Sequence, residues 1–402
     1  MKNDTFCVNP YLNLTIHPSG SIKPCCMSVQ SYRTDDGKET LNKASVKDFW
    51  KSKDRIDLIN DLNNGVRVEA CSNCWQEEEA GVKSKRIRDN EIYAERHVYY
   101  DMMPVVLDLS LGNLCNLKCR ICSPVHSTPW LQEEAELWHP EDKKKYLEQE
   151  RWIIAKDSFK NDNNLLWEDL LKMIKKVERL DFAGGEPFYV DKHWDIVKAC
   201  VDAGVSRKQY IHYNTNSTIF PEKHVHLFDE FDTVDIQFSS DGVGKKFEYM
   251  RHPADFDNSE SVIERFQERA ANSAATFYLG SCLSVSAYNV FDIFETYEHY
   301  AEKGLRMYIN YVHDASGVRV LPPAIREHVI KKLEKTQSKY NTVHWEREKQ
   351  NTINLLKNAE YNEHAWEYFK MEVERRDKIR NETYSEVFPE FADIMRTEDV
   401  AR

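Results

Sequence analysis

Val105-Val106-Leu107-Asp108-Leu109 leads into Cys115-Asn116-Leu117-Lys118-Cys119-Arg120-Ile121-Cys122, an apolar β-like run followed closely by three cysteines. The run predicts a strand over 105–110. Similar runs recur near 178–183, 209–214, 233–239, 276–283 and 306–312, with helical stretches between them. Strand and helix alternating in this way imply crossover connections and a parallel sheet. Six such strands beneath an outer layer of helices predict an α/β fold, a partial (β/α)6 TIM-like barrel. The reactive edge of such a barrel is formed by the strand C-termini, so the three thiols fall on a loop at that edge.

On the N-terminal side, residues 11–23 predict a hairpin with its turn at His17-Pro18-Ser19-Gly20. Val46, Phe49, Trp50, Ile56, Ile59 and Leu62 recur at helical spacing and predict a helix over 45–63, with Asn64-Gly65 as its stop. The charged stretch beginning at Trp75 predicts more helix, and a boundary falls near 98. Beyond Leu321-Pro322-Pro323, the stripe of Ile325, Val329, Ile330 and Leu333 predicts helix to the end. The expected units are 1–98, a small hairpin/helix domain; 99–320, the barrel; and 321–402, a helical C-terminal segment. Residues 124–177 are longer than one crossover needs, and their charged run HPEDKKKYLEQERW reads as a solvated helix face.

The chain has 402 residues, 41% hydrophobic and 12% aromatic, which excludes collagen-like and largely disordered classes. Fifty-five Lys+Arg against 67 Asp+Glu give a net charge of −12, which disfavours nucleic acid as a partner. No apolar run approaches the ~20 residues needed to cross a bilayer, so no membrane partner is expected. The start MKNDTFCVNP lacks an apolar signal segment, and the expected location is cytoplasmic.

Ten cysteines are many for a reducing compartment, where disulfides rarely persist. Eight of them cluster: Cys7; Cys25 and Cys26; Cys71 and Cys74; Cys115, Cys119 and Cys122. Dense soft thiolates suit iron–sulfur ligation, and three ligands leave one iron of a cubane open to another molecule. A structural zinc site or a set of redox thiols is the alternative reading of the same spacing. Cys26 reads as a spare ligand or a partly buried free thiol, burial being the preferred reading, and Cys200 and Cys282 as core residues.

The C-x3-C-x2-C spacing at Cys115, Cys119 and Cys122 resembles the signature of the radical S-adenosylmethionine superfamily. Gly184-Gly185-Glu186-Pro187, after the second barrel strand, resembles the segment that holds the amino group of the methionine moiety. Two glycines let the backbone approach a ligand, and Glu186 offers an ammonium an acceptor. The resemblance extends to polar strand ends, Thr215-Asn216-Ser217 and Ser239-Ser240-Asp241-Gly242, and to Tyr249-Met250-Arg251. It implies that Asn216, Ser239 and Arg251 contact the ribose and carboxylate of the cofactor; strand-end caps and a surface arginine are the plainer readings. Ile121 stands where the superfamily commonly has an aromatic residue.

Cys7, then Gly20 and Cys25, and after a gap Cys71-x2-Cys74, resemble the Twitch module, the shorter relative of the SPASM auxiliary-cluster domain. A zinc ribbon is the alternative from spacing alone. Twitch normally follows the barrel, whereas here it precedes it. Together the resemblances imply two 4Fe–4S clusters, S-adenosyl-L-methionine, a reductant such as flavodoxin or ferredoxin, and a small-molecule or peptide substrate. The implied activity is reductive cleavage of S-adenosylmethionine to a 5′-deoxyadenosyl radical, hydrogen abstraction, and a net oxidation completed through the auxiliary cluster. The rival readings are a peptide-modifying epimerase or maturase without net oxidation, and a noncatalytic iron–sulfur or S-adenosylmethionine-binding regulator.

Overall fold

The computed structural model describes residues 3–41, 43–110, 112–149, 152 and 165–400. Eight strands form one sheet: β1 (Asn13–Ile16), β2 (Ile22–Lys23), β3 (Val106–Ser110), β4 (Arg179–Ala183), β5 (Tyr210–Thr215), β6 (Thr233–Ser239), β7 (Thr276–Val285) and β8 (Arg306–Tyr311). Their order is β2-β1-β3-β4-β5-β6-β7-β8, with β3 to β8 parallel throughout. β2 and β8 lie at opposite ends, so the barrel is open. All six expected strands are present, each within two residues of its predicted ends.

Period-two alternation explains how the sheet is covered. Leu107, Leu109, Leu180, Phe182, Ile211, Tyr213, Val234, Ile236, Phe238, Leu283 and Val285 lie on one face and are fully buried. They form one core with Leu170, Trp194, Val197, Ile263, Phe266, Tyr297 and Tyr300, which come from helices 165–173, 193–202, 256–271 and 293–302. The intervening residues, among them Arg179, Asp181, Tyr210, His212, Asn214, Gln237 and Cys282, face the other way and retain solvent access. Helices of the C-terminal segment follow at 323–333, 342–358, 363–380, 384–387 and 389–400.

The N-terminal hairpin forms where expected, with Gly20 at φ 78° and its N–H donating to His17 O at 2.8 Å. The single helix expected over 45–63 is two, Val46–Trp50 and Lys53–Asn63. Ser45 and Asp48 close a capping box on the first, and Ser52 caps the second by accepting from Arg55 N, so polar caps break an apolar pattern that runs through both. The charged stretch after Trp75 contributes helices 72–79 and 85–92. Part of the HPEDKKKYLEQERW run lies outside the described residues; within it Lys143–Leu147 is helical and turns Tyr146 inward.

Sequence patterning did not foresee that the hairpin joins the barrel sheet. β1 pairs with β3 in parallel, Asn13 opposite Val106 and Thr15 opposite Asp108. The same N-terminal unit reaches the other edge, where Arg88 Nη2 donates to Tyr308 Oη of β8 at 2.7 Å and His313 Nε2 lies 3.2 Å from Glu77 Oε1. It therefore spans the gap that the open barrel leaves.

Arg55 ties this unit together. Its guanidinium donates to Pro10 O at 2.7 Å, Trp50 O at 2.8 Å and Tyr100 O at 3.1 Å while stacked 3.9 Å from the Trp50 ring. Arg55→Met leaves buried carbonyls without donors and should cost about 2–4 kcal/mol. Urea unfolding followed by tryptophan fluorescence checks this, and an unmoved midpoint would show that the arginine is dispensable.

Candidate functional site

The three-cysteine loop leaves the C-terminal end of β3 and is fixed by its backbone. Lys118 N donates to His252 O and Arg120 N to Met250 O, both at 2.8 Å. From the other side, Ser127 Oγ donates to Leu117 O at 2.6 Å and Trp130 Nε1 to Cys119 O at 3.0 Å. Cys115, Cys119 and Cys122 pack with Leu117, Phe247 and Ala254. Burial, then the neighbouring Cys119, pushes the Cys115 thiol up to about 12; burial raises Cys119, and burial with both other thiols raises Cys122. The Arg251 guanidinium opposes all three shifts. Asn216 Nδ2 lies 3.8 Å from Cys115 Sγ and donates to Asn116 Oδ1 at 2.8 Å.

The Gly184-Gly185-Glu186-Pro187 segment is stitched to this loop. Gly184 has φ 118°, and a Cβ on Gly185 would stand 1.9 Å from Leu114 O, so only glycine permits the approach. Glu186 N donates to that same carbonyl at 2.8 Å, and Pro187 opens the short 3-10 turn that follows. The Glu186 carboxylate is fully buried and accepts from Phe188 N at 3.0 Å, Thr215 Oγ1 at 2.9 Å and Asn216 N at 2.6 Å. It binds the end of β4 to the end of β5. Burial raises its pKa to about 7 against these donors.

Around this edge, among the described residues, the buried polar atoms without a partner in the protein include Ser217 Oγ, Arg251 Nε, and Nε and Nη1 of Arg120. Ser217 also sits at φ 63°, a costly conformation for a residue with a side chain. Arg251 is ion-paired to Asp241, which is itself held by Ser284 N at 2.9 Å. Ser239, half-buried, lies at the end of β6 opposite Cys282. A thiol-only donor set, an opposing cation, and orphaned donors at the strand ends fit an iron–sulfur cluster with a polar co-ligand beside it.

The second thiol group comes from the N-terminal unit. Cys7 is bracketed by Asn90, whose Oδ1 accepts from Val8 N and whose Nδ2 donates to Phe6 O, both at 2.8 Å. Cys71 and Cys74 lie at the start of helix 72–79, which Asn73 Nδ2 ties to Met27 O at 3.1 Å, just beyond Cys25. Arg86 fixes the arrangement through Phe6 O at 2.7 Å and both oxygens of Glu78. Burial raises Cys7, Cys25, Cys71 and Cys74; neighbouring thiols add to the shift at Cys7, Cys25 and Cys71, and Glu77 and Glu78 to that at Cys74; Cys71 reaches about 12. Lys85 acts against the shift at Cys25, and Arg86 against those at Cys71 and Cys74. An all-thiol set of four fits a fully ligated cubane. Among the described residues, no three His, Cys, Asp or Glu side chains converge on a single ion. Cys26 is exposed rather than buried, Cys200 is core as expected, and Cys282 is half-buried on the inner face rather than in the core.

Sequence reasoning missed the polar lining of that inner face. Thr15, Asp108, Asp181, His212, Asp235 and Tyr278 occupy one continuous row across β1 and β3 to β7. His212 Nδ1 lies 3.0 Å from Asp235 Oδ2, Tyr210 Oη donates to that oxygen at 2.5 Å, and Gln237 Nε2 donates to Asp235 Oδ1 at 2.7 Å. Gly280 leaves room for Gln237, since a Cβ there would meet Gln237 Oε1 at 2.3 Å. Burial raises Asp235, but its donors, His212 first, outweigh it and hold the carboxyl below its usual range. Polar residues at alternate positions in strands expected to be buried were the available signal.

Behind the cysteine loop, Glu133 is a buried hub. It pairs with Lys118 Nζ at 2.6 Å, Arg376 Nη1 at 2.7 Å and Arg380 Nη2 at 2.8 Å. Burial raises its carboxyl, but Arg380 and Lys118 outweigh that and hold it at about 2.

Comparison with known proteins gives one domain match: residues 7–75 match SPASM, an iron–sulfur cluster-binding domain. This agrees with the resemblance drawn from the N-terminal cysteine spacing. No curated protein matches the chain. Similar solved structures include anSMEcpe with bound AdoMet and the Cp18Cys peptide, at 15% identity and TM-score 0.34, covering 59% of this chain and 54% of that one. SuiB of Streptococcus suis bound to S-adenosylmethionine matches at 14% identity and TM-score 0.36, covering 65% and 52%. SuiB bound to the precursor peptide SuiA matches at 11% identity and TM-score 0.33, covering 71% and 62%. The chain thus spans little more than half the length of the first structures it matches.

Gly185→Ala drives a methyl group into Leu114 O, so the cysteine loop must shift. Iron bound by the Cys71→Ala/Cys74→Ala chain should fall at least twofold when this change is added; undiminished iron would show that the loop tolerates it. Because Glu133 is held below its ordinary 4.5, its stabilisation is complete above that pH and is lost as pH falls through about 2. Between those limits the parent should lose about 3 kcal/mol that Glu133→Gln does not, measured by urea unfolding across the range.

Proposed function

We propose that the chain is a radical S-adenosylmethionine enzyme that carries out a net oxidation on a polar substrate group held against the inner face of the barrel. The observation that carries this reading is the pair of thiol-only groups, one at the C-terminal edge of β3 and one beside β1, on strands that are neighbours in one sheet. Cys115, Cys119 and Cys122 would hold the first cluster and Cys7, Cys25, Cys71 and Cys74 the second. When bound, these groups and S-adenosylmethionine supply a 5′-deoxyadenosyl radical for hydrogen abstraction and an acceptor for the electron a net oxidation releases.

The protein's own residues do the rest. Arg251 offsets the negative charge of the cysteine loop, and its free Nε, with Asn216 and Ser239, offers polar contacts at the strand ends. Net oxidation also releases a proton. The ionised Asp235 carboxylate takes Nδ1–H of His212, which makes Nε2 the ring's acceptor; it accepts from Asn214 Nδ2 at 3.1 Å, and the exposed Asn214 must release it for the proton to be taken. The buried sheet face opposite excludes water from beneath.

Reduced protein with S-adenosylmethionine should release 5′-deoxyadenosine; binding without release would favour the regulator reading. Cys71→Ala/Cys74→Ala should still release 5′-deoxyadenosine but form no oxidised product, and full product formation would leave the second thiol group a structural role. A product isomeric with the substrate would replace net oxidation by epimerisation. His212→Gln should keep 5′-deoxyadenosine release and lower product formation about 100-fold, the usual worth of a positioned base.

A further inference from the structure

The C-terminal segment carries no motif, yet it grips the cysteine loop from behind. Arg120 stands between Cys119 and Cys122, and its side chain is fully buried. Its Nη2 reaches Asp377 Oδ1 at 2.6 Å and Glu382 Oε2 at 2.5 Å, and its Cζ lies 3.9 Å from the centre of the Tyr249 ring. Asp377 is fixed in turn by Tyr249 Oη at 2.7 Å and Tyr384 N at 2.7 Å. Glu382 also meets His252 Nδ1 at 2.6 Å, on the segment whose backbone pairs with the loop.

One helix, 363–380, serves both flanks of the loop. Arg376 and Arg380 hold Glu133, and through it Lys118; Asp377, on the same helical turns, holds Arg120. The helix ends at Asn381 in the left-handed conformation, φ 52°, and Glu382 N donates back to Asp377 O at 2.9 Å. That turn swings Glu382 beside Asp377, so two carboxylates converge on one nitrogen. Arg380 is also close enough to Cys119 to oppose the upward shift of its thiol.

We propose that the C-terminal segment is a clamp for the cysteine loop, with Asp377 and Glu382 acting through Arg120 to set how Cys119 and Cys122 are presented to their cluster. Arg120, Asp377 and Glu382 are positioning residues. A buried ion pair of this kind contributes little net stability compared with an apolar contact, but it fixes geometry, and breaking one partner leaves a buried charge unpaired. The inference rests on the cluster assignment above.

The test is iron release to a chelator under anaerobic conditions from the full, cluster-loaded chain. Wild type should release iron in two phases, and Cys115→Ala/Cys119→Ala/Cys122→Ala should keep only the N-terminal phase. Asp377→Asn/Glu382→Gln should speed the loop phase at least tenfold, leave the other unchanged, and alter the electron paramagnetic resonance signal of the reduced loop cluster. Arg120→Lys keeps the charge but loses the planar group stacked on Tyr249, leaves every C-terminal residue in place, and should give a smaller acceleration; it decides the matter where the double variant does not fold. An unchanged loop phase and signal in either folded variant overturns the clamp. Loss of no phase in the triple-cysteine variant overturns the cluster assignment and the clamp with it.

Discussion

Thiols buried together stay protonated unless a metal takes the place of their protons, and the rest of this structure is arranged around that constraint. Each cysteine of the two groups has its ionisation opposed by burial, and in both groups neighbouring thiols add to the effect. A bound iron–sulfur cluster would take the place of those protons and make the thiolate the stable form. Cations placed nearby lessen what remains. Arg251 and Arg380 stand by the loop, and Lys85 and Arg86 by the N-terminal group.

Sheet register then fixes the two groups relative to one another. The parallel pairing of β1 with β3 makes the hairpin part of the sheet that supports the loop, and side-chain contacts from Asn73, Arg86 and Asn90 hold the other cysteines of the N-terminal group beside it. The same unit meets β8 through Arg88 and Tyr308. A module that precedes the barrel in sequence is in this way brought to the side of the barrel interior.

The strands were legible because each is a short β-rich run bounded by polar residues, and the cysteine groups were legible because ligand spacing is local. The hairpin's pairing with β3 was not, since Leu14 and Ile16 show only that one face is buried and nothing about the partner. The break at Ser52 was hidden for the opposite reason: the apolar periodicity of Phe49, Ile56 and Ile59 continues across it, and only the cap reveals it. Glu186 shows a limit of motif reading. Its residue type suits an ammonium, but burial and three protein donors give it a role in joining β4 to β5 that no spacing could disclose.

The charged helix 363–380 carries that limit furthest. In the linear sequence, Glu-Arg-Arg-Asp-Lys-Ile-Arg carries no sign of burial, because charges on helices are most often solvated. Arg376 and Arg380 are nevertheless buried, and Asp377 faces a buried arginine from the cysteine loop. Charges are buried only when partners are supplied at the same place, and here the partners, Glu133 and Arg120, lie more than two hundred residues away in the chain. Such complementarity is a property of the folded surface. It follows that the segment without a motif belongs to the site physically, since Arg120 and Glu133, directly behind the cysteine loop, take buried ion-pair partners from it.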